Sequence, residues 1–125
     1  METREKTIVI VDDDDDIREL VEITLEDSQY RLYTAEDGEA GLQIIHRHRP
    51  DLVILDWVMP RLDGLDVARR LRENPVTAGI AVVMLTSQDN RDHQDEIHTL
   101  GIFSYLQKPF SPLELIQTVQ KALAG

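Results

Sequence analysis

The sequence predicts an α/β domain, a doubly wound parallel sheet of five strands with helices on both faces. Two observations favour this class. Short apolar runs rich in β-branched residues alternate with longer segments whose apolar residues recur at helical spacing. In addition, a chain of 125 residues has the length of one domain. We therefore expect one domain over residues 1–125, without a linker or an internal repeat.

The first half of the chain contains two predicted strand–helix units. The β-branched run 8–11 predicts the first strand, and the apolar spacing over 17–25 predicts the first helix. The alternating segment 30–34 predicts the second strand. Residues 40–48 predict the second helix, which Pro50 ends because proline cannot continue a helix.

The second half adds three further units. The last helix begins at a capping box formed by Ser111 and Glu114, with Pro112 at the first helical position. The fourth helix is polar and has few apolar residues that can pack on a core. The predicted strands are 52–56, 80–85 and 103–107, and the predicted helices are 65–71, 89–100 and 113–123.

Polar residues follow four of the predicted strands. These residues are Asp12, Asp13, Asp56, Thr86, Ser87 and Lys108. Ligands of such sheets bind beyond the carboxyl ends of the strands, which all lie at one edge. Asp56 alone fits a turn residue equally well, since aspartate favours turns. Its coincidence with a cation, hydroxyl groups and two further carboxylates favours a functional site.

The residue types at this edge suit phosphoryl transfer. Three carboxylates repel one another unless a cation lies among them, and a site of oxygen ligands suits Mg²⁺. Because Asp12 and Asp13 are adjacent and can hold the metal, Asp56 is free to attack phosphorus as a nucleophile. Lys108 and the Thr86 hydroxyl can then contact the phosphoryl oxygens.

This pattern resembles the receiver domains of two-component response regulators. The matching residues are Asp12-Asp13, Asp56 with Met59-Pro60 and Gly64, Thr86-Ser87, Tyr105, and Lys108-Pro109-Phe110. Each match is weak alone, whereas their order, spacing and strand-end context are specific. The resemblance covers residues 8–123 and implies a flavodoxin-like fold with strand order 2-1-3-4-5.

The resemblance also implies a metal site and a phosphoryl donor. Asp56 would accept a phosphoryl group from a phosphohistidine of a sensor kinase or a histidine phosphotransfer protein. Asp13, Asp56 and the backbone carbonyl of Val58 would ligate Mg²⁺, with Asp12 acting through water. Trp57, the only tryptophan, is expected to lie partly exposed in the loop beside this site.

The remaining implied roles concern phosphoryl binding and signal output. Thr86, Ser87 and Lys108 would bind the phosphoryl group, and Thr86 with Tyr105 would form the pair of residues that switches. The domain would be a signalling phosphoacceptor that assists its own phosphorylation and slow dephosphorylation, rather than a turnover enzyme. Because the fourth helix has few apolar anchors and Phe103 shares a strand face with Tyr105, we expect the fourth helix, fifth strand and fifth helix to form the output surface.

The sequence departs from relatives before the last strand. Ile102 and Phe103 stand where many relatives have alanine and then a small or acidic residue. The acidic pair that one class of DNA-binding regulators uses in dimer salt bridges is absent before Tyr105. Phe103 either packs under a helix or widens a docking surface for a partner or a phosphorylation-dependent dimer. Because the chain ends at Gly125, just past the last helix, we expect no effector domain within it, so that the domain either works alone or is one module of a longer protein.

The amino-acid composition limits the kinds of partner that this chain can bind. With 13 Lys and Arg against 24 Asp and Glu, the formal net charge of -11 disfavours binding to nucleic-acid phosphates. There is no cysteine for disulfides or thiolate metal sites, and no apolar run approaches the length of a membrane span. Since the first six residues are also unlike a signal peptide, we expect a cytoplasmic domain.

Two other site classes fit the aspartate run less well. A haloacid-dehalogenase-like phosphatase also uses a strand-end aspartate and Mg²⁺, but Asp16 stands where its motif needs threonine or valine. An EF-hand loop starting at Asp12 requires glycine and glutamate where this chain has Ile17 and Ile23. Repeated hydrolysis of a small phosphate ester would distinguish the phosphatase from a receiver.

Overall fold

A computed structural model describes residues 5–26, 29–87 and 94–124. Five strands and five helices alternate within these ranges, as predicted. They are β1 (Thr7–Val11), α1 (Asp15–Leu25), β2 (Arg31–Ala35), α2 (Gly38–His48), β3 (Leu52–Asp56), α3 (Gly64–Glu73), β4 (Ala81–Thr86), α4 (Gln94–Thr99), β5 (Ser104–Gln107) and α5 (Pro112–Ala124). The predicted start of the fourth helix, over 89–93, lies outside the described residues.

The five strands form one parallel sheet in the order β2-β1-β3-β4-β5. This order confirms the predicted doubly wound topology. At the carboxyl edge, Val11 is paired with Leu55, and Asp56 is paired with Leu85. The register therefore brings the ends of β1, β3 and β4 to the same edge, with β3 at the centre.

Two apolar cores cover the two faces of the sheet, because successive strand residues point to opposite faces. One core joins strand residues such as Val53 and Leu55 to α2 and α3. The other joins Leu52 and Ile54 to α1 and α5. All five residues of β3 are buried, as predicted for a strand covered on both sides.

Trp57 belongs to the first core and is 7% exposed, so the prediction that it is partly exposed is wrong. Its amide donates to the Leu85 carbonyl at 2.8 Å, and its carbonyl accepts from the Gly64 amide at 2.8 Å. These bonds hold the backbone of Trp57 close to β4 and to the start of α3. The indole is consequently covered rather than exposed in the loop.

The helix starts follow the expected capping chemistry. The Asp14 side chain accepts from two amides at the start of α1, and Asp63 and Asp66 form a capping box on α3. Ser111 and Glu114 cap α5 reciprocally at 3.0 and 3.1 Å, which confirms the predicted box. None of the helices within the described ranges is long and apolar enough to cross a bilayer.

Candidate functional site

Three carboxylates converge at the carboxyl edge of the sheet. Asp12 follows β1 directly, and Asp56 is the last residue of β3. One oxygen from each of Asp12, Asp13 and Asp56 lies within 4.8 Å of the other two. Asp12 is fully buried and Asp56 is 6% exposed, whereas Asp13 is exposed. The structure thus brings together the three aspartates that the sequence predicts as one site.

Lys108 supplies the cation of this site. Its Nζ donates to Asp12 Oδ2 at 3.2 Å and to Asp56 Oδ1 at 3.2 Å. The lysine follows β5, and its amide donates to the Thr86 carbonyl at 2.6 Å, which continues the pairing of β4 with β5. Because its side chain is only 19% exposed, water screens these contacts less than it screens surface ion pairs.

The backbone around Asp12 is held by two further contacts. Asp12 Oδ1 accepts from the amide of Asp14 at 2.9 Å. Arg18 on α1 donates from Nη1 to the Asp12 carbonyl at 2.6 Å, and its Nη2 pairs with Asp15. Arg18 was not predicted as a site residue. Its position six residues after Asp12 has no strand-end signal, so only the fold shows that its guanidinium returns to the site.

The electrostatics of the site favour a protonated Asp56. Burial and, to a lesser extent, repulsion by Asp12 raise the pKa of Asp56 from 3.8 to about 7, although Lys108 opposes both effects. Burial lowers the pKa of Lys108, but attraction by Asp12 and Asp56 outweighs that effect and raises it overall. The single positive charge of Lys108 therefore does not balance the negative charges of the three carboxylates.

The donor set fits a hard divalent cation. All three acidic side chains offer oxygen atoms, and none of the residues in the cluster is histidine or cysteine. Mg²⁺ prefers such oxygen ligands and commonly retains waters beside one or two carboxylates. A cation among these oxygens would also offset the repulsion that raises the pKa of Asp56.

Thr86 and Ser87 lie at the same edge, at the end of β4. Thr86 is 3% exposed and is paired with Gln107 of β5, whereas Ser87 is exposed. Tyr105 is opposite Met84 and packs partly buried against the first core. Val58 lies two residues after Asp56 and is 65% exposed. The roles of these residues in phosphoryl binding, switching and metal ligation stay predictions.

Gly64 has a steric role that the sequence did not reveal. A Cβ atom at this position would lie 2.3 Å from the Asp56 carbonyl oxygen and 3.1 Å from the Trp57 Cα. The start of α3 can approach the end of β3 this closely only because residue 64 has no side chain. The glycine therefore supports the backbone of the proposed nucleophile.

The fold and the site define a doubly wound α/β protein with an acidic cluster and a lysine at its ligand-binding edge. Residues 8–120 match the response regulator receiver domain, and the chain belongs to this family. It is therefore a receiver domain of two-component signal transduction.

Relatives and solved structures agree with this assignment. The chain is 37% identical over 118 residues to the phosphate regulon transcriptional regulatory protein PhoB of Pseudomonas aeruginosa, covering 94% of this chain and 52% of the relative. The chemotaxis protein CheY4 of Vibrio cholerae is similar with a TM-score of 0.90 and 31% identity, covering 96% of this chain and 100% of that one. A putative response regulator from Chloroflexus aurantiacus has a TM-score of 0.90 and 36% identity, covering 98% and 100%. The chain spans about half the length of the curated relatives it matches.

Proposed function

We propose that Asp56 accepts a phosphoryl group from a phosphohistidine of a sensor kinase or a histidine phosphotransfer protein. The convergence of Asp12, Asp13 and Asp56 beside the Lys108 ammonium group is the observation that supports this most. In the transfer, an Asp56 oxygen forms a bond to phosphorus as the bond from phosphorus to the donor imidazole nitrogen breaks. The electron pair of the broken bond stays with the imidazole.

The other residues of the site bind and neutralise the transferred group. Asp13, Asp56 and the Val58 carbonyl would hold Mg²⁺, with Asp12 acting through water, and the ion would neutralise phosphoryl charge. Lys108 already lies 3.2 Å from an Asp56 oxygen, so it can pair with a phosphoryl oxygen by a short movement. Thr86 and Ser87 donate hydroxyl hydrogen bonds from the end of β4.

The product of this transfer is a signal rather than a released compound. The domain assists its own phosphorylation and slow dephosphorylation, acts in the cytoplasm and extends over residues 1–125. Thr86 and Tyr105 couple the phosphoryl group to a surface formed by α4, β5 and α5. This surface binds a downstream protein, an effector domain outside the chain or a second copy of the domain.

Phosphorylation by acetyl phosphate and Mg²⁺ tests the proposal. Intact-mass measurement should show one added phosphoryl group on the wild type and none on Asp56→Asn, because the amide is a poor nucleophile. Asp63→Asn is the matched control, since Asp63 caps α3 outside the cluster and asparagine also caps helices. Undiminished single-site labelling of Asp56→Asn would refute the assignment of the nucleophile.

Metal binding should be visible through Trp57, which adjoins Asp56 in the chain. Mg²⁺ should change the tryptophan fluorescence, and Asp13→Asn should weaken the apparent affinity by at least about tenfold, since even indirect partners of metal ligands matter that much. Asp16→Asn removes an exposed carboxylate of the same run and should leave the affinity unchanged. Equal affinities for Asp13→Asn and wild type would exclude Asp13 as a ligand.

The proposed output surface leads to a prediction about Phe103. Phe103 is 49% exposed immediately before β5, and its amide donates to the Val82 carbonyl at 2.8 Å. The exposure favours a docking role over packing in the core. Phe103→Asp should therefore change the free energy of unfolding by only about 0.5 kcal/mol and spare phosphorylation.

Sedimentation velocity checks the docking role. If the partner is a second copy, wild type treated with acetyl phosphate and Mg²⁺ should form a dimer that Phe103→Asp lacks. Val76→Asp provides the control, because Val76 is 55% exposed before β4, outside the proposed surface. An unchanged dimer in Phe103→Asp would place the self-association surface elsewhere, and a large drop in unfolding free energy would identify Phe103 as a packing residue.

A further inference from the structure

Arg72, near the end of α3, binds four main-chain carbonyls at once. Its Nε donates to the Leu100 carbonyl at 2.6 Å, and its Nη2 donates to that of Gly101 at 3.2 Å. Nη1 donates to the carbonyls of Ala78 at 3.0 Å and Ile80 at 2.8 Å. One guanidinium group thereby joins α3, the segment before β4 and the segment between α4 and β5.

Two of these carbonyls, those of Leu100 and Gly101, lie directly after the C-terminal end of α4. The amide of Ile102 donates to the Ile97 carbonyl at 3.0 Å, and that of Gly101 donates to the His98 carbonyl at 3.1 Å. Together with the left-handed φ of +62° at Gly101, this pattern is a Schellman motif. Arg72 adds a cation to the carbonyls just beyond it, where the helix dipole favours positive charge.

Among the described residues, the partners of the Arg72 guanidinium are main-chain carbonyls rather than carboxylates. Within residues 5–26, 29–87 and 94–124, the guanidinium has no carboxylate partner within ion-pair distance. Burial lowers the pKa of Arg72 below its ordinary value. Removing a cation from water is unfavourable unless hydrogen bonds replace its lost water contacts. We therefore attribute the position of this guanidinium to its hydrogen bonds with main-chain carbonyls.

Packing as well as Arg72 holds the C-terminal end of α4. No residue of α4 is buried, and Ile97 is the partly buried residue of the helix that packs against the first core. Just beyond the helix, Leu100 and Ile102 are each 7% exposed, so buried residues anchor the C-terminal end of α4. The other end of α4 is connected along the chain to Thr86 of the site.

We propose that Arg72 is a positioning residue that fixes the C-terminal end of α4 when the domain switches. Movement that starts at Thr86 then displaces the N-terminal end of α4 about this fixed end, rather than shifting the whole helix. The start of β5, and with it the register that positions Tyr105 and Lys108, stays in place. This inference rests on the proposed function, since it concerns how the switch reaches the output surface.

Hydrogen exchange of the unphosphorylated protein tests the fixed end. In Arg72→Met, the amides of Gly101 and Ile102 should exchange at least about tenfold faster than in wild type, because several charge-assisted hydrogen bonds are lost. Arg72→Lys keeps the charge but cannot reach four carbonyls, so it should have an intermediate effect. Arg70→Met, on an exposed position of the same helix, should leave both rates unchanged.

An equal acceleration in the central strand β3 would overturn the proposal, because it would show general destabilisation instead of a local role. If Arg72→Met does not fold, the comparison of Arg72→Lys with Arg70→Met decides the same question. Neither comparison requires phosphorylation, so their outcome is independent of the role proposed for Asp56.

Phosphorylation provides the second measurement, which a merely structural role would not change. In wild type, the chemical shifts of Leu100, Gly101 and Ile102 should change little on treatment with acetyl phosphate and Mg²⁺. In Arg72→Lys they should change at least about twofold more, because the end of α4 is then free to follow the rest of the helix. Identical shift changes in the two proteins would refute the fixed end, whereas an absence of phosphorylation in both would refute the proposed function.

Discussion

Asp56→Asn is expected to stabilise the metal-free protein, by about 4 kcal/mol at pH 8 and by about 2 kcal/mol at pH 5. The reason is the buried position of the carboxyl group beside Asp12. Burial and repulsion by Asp12 together raise the pKa of Asp56 in the folded protein to about 7, against the opposing effect of Lys108, from 3.8 for the free group. Ionisation at pH 8 is therefore costlier in the folded state than in the unfolded state, and asparagine avoids that cost.

The sign of the pH dependence follows from proton binding. Between the two pKa values the folded state holds a proton on Asp56 that the unfolded state has lost. The stability linked to this proton is fully present below the unfolded pKa and is lost as the pH rises through the folded pKa. Relative to Asp56→Asn, the wild type should therefore lose stability between pH 4 and pH 8.

Urea denaturation of both proteins in the presence of a chelator measures this difference. Asp63→Asn, which removes a carboxylate without touching the cluster, should show no comparable pH-dependent gain. Adding Mg²⁺ at pH 8 should stabilise wild type more than Asp56→Asn, since the variant lacks one anionic ligand. A variant that is less stable than wild type at pH 8 without metal would contradict the raised pKa.

Most of the fold could be predicted because its elements have local signals. β3 is a run of four apolar residues that ends in a carboxylate, and its complete burial follows from that composition. The α5 start is encoded by Ser111 and Glu114 within four residues of each other. These features depend on short stretches of chain, which a pattern along the sequence can express.

The core of the site was predictable for a different reason. Asp12, Asp56 and Lys108 are far apart in sequence, but each ends or follows a predicted strand, and parallel topology brings such positions to one edge. Contacts without that strand-end position were not predictable. The Arg18 guanidinium reaches the Asp12 carbonyl from α1, and no spacing rule connects an arginine to a particular main-chain oxygen.

The solvent exposure of two aromatic side chains near loops could not be predicted from the sequence either. Trp57 follows a strand end and was expected to be partly exposed, yet two backbone hydrogen bonds hold its segment close enough for the indole to be buried. Phe103 could equally have packed under a helix, and it is half exposed. Both outcomes depend on how neighbouring segments lie over the sheet, which is a property of the whole fold.

The conflict among the carboxylates connects stability to function. Asp12 and Asp56 are both buried, and Lys108 alone does not balance them together with Asp13. A sequence selected only for stability would replace one of them, since buried like charges are unfavourable. The arrangement instead creates a site whose ionised form is favoured by cation binding. That dependence is what a metal-assisted phosphoacceptor requires.

Gly64→Ala is the second change expected to have a large effect, because the backbone at the end of β3 leaves no room for a side chain. The new Cβ would lie 2.3 Å from the Asp56 carbonyl oxygen, and backbone cannot rotate away as a long side chain can. The start of α3 must therefore move, and we expect a loss of about 2–3 kcal/mol in unfolding free energy. The same movement would displace Asp56 and Trp57, so the fluorescence response to Mg²⁺ should weaken as well.

Gly79→Ala provides a closely matched control for this prediction. A Cβ atom at residue 79 would meet nothing within 4 Å, and its φ lies outside the left-handed range. Alanine there should be neutral or stabilise the protein by up to about 1 kcal/mol, since it restricts the unfolded chain. Urea denaturation and Mg²⁺ titration of the two variants separate the effects. Equal unfolding free energies for Gly64→Ala and Gly79→Ala would show that α3 can retreat from β3 without cost, and an unaltered Mg²⁺ response in a destabilised Gly64→Ala would show that Asp56 keeps its position when α3 moves.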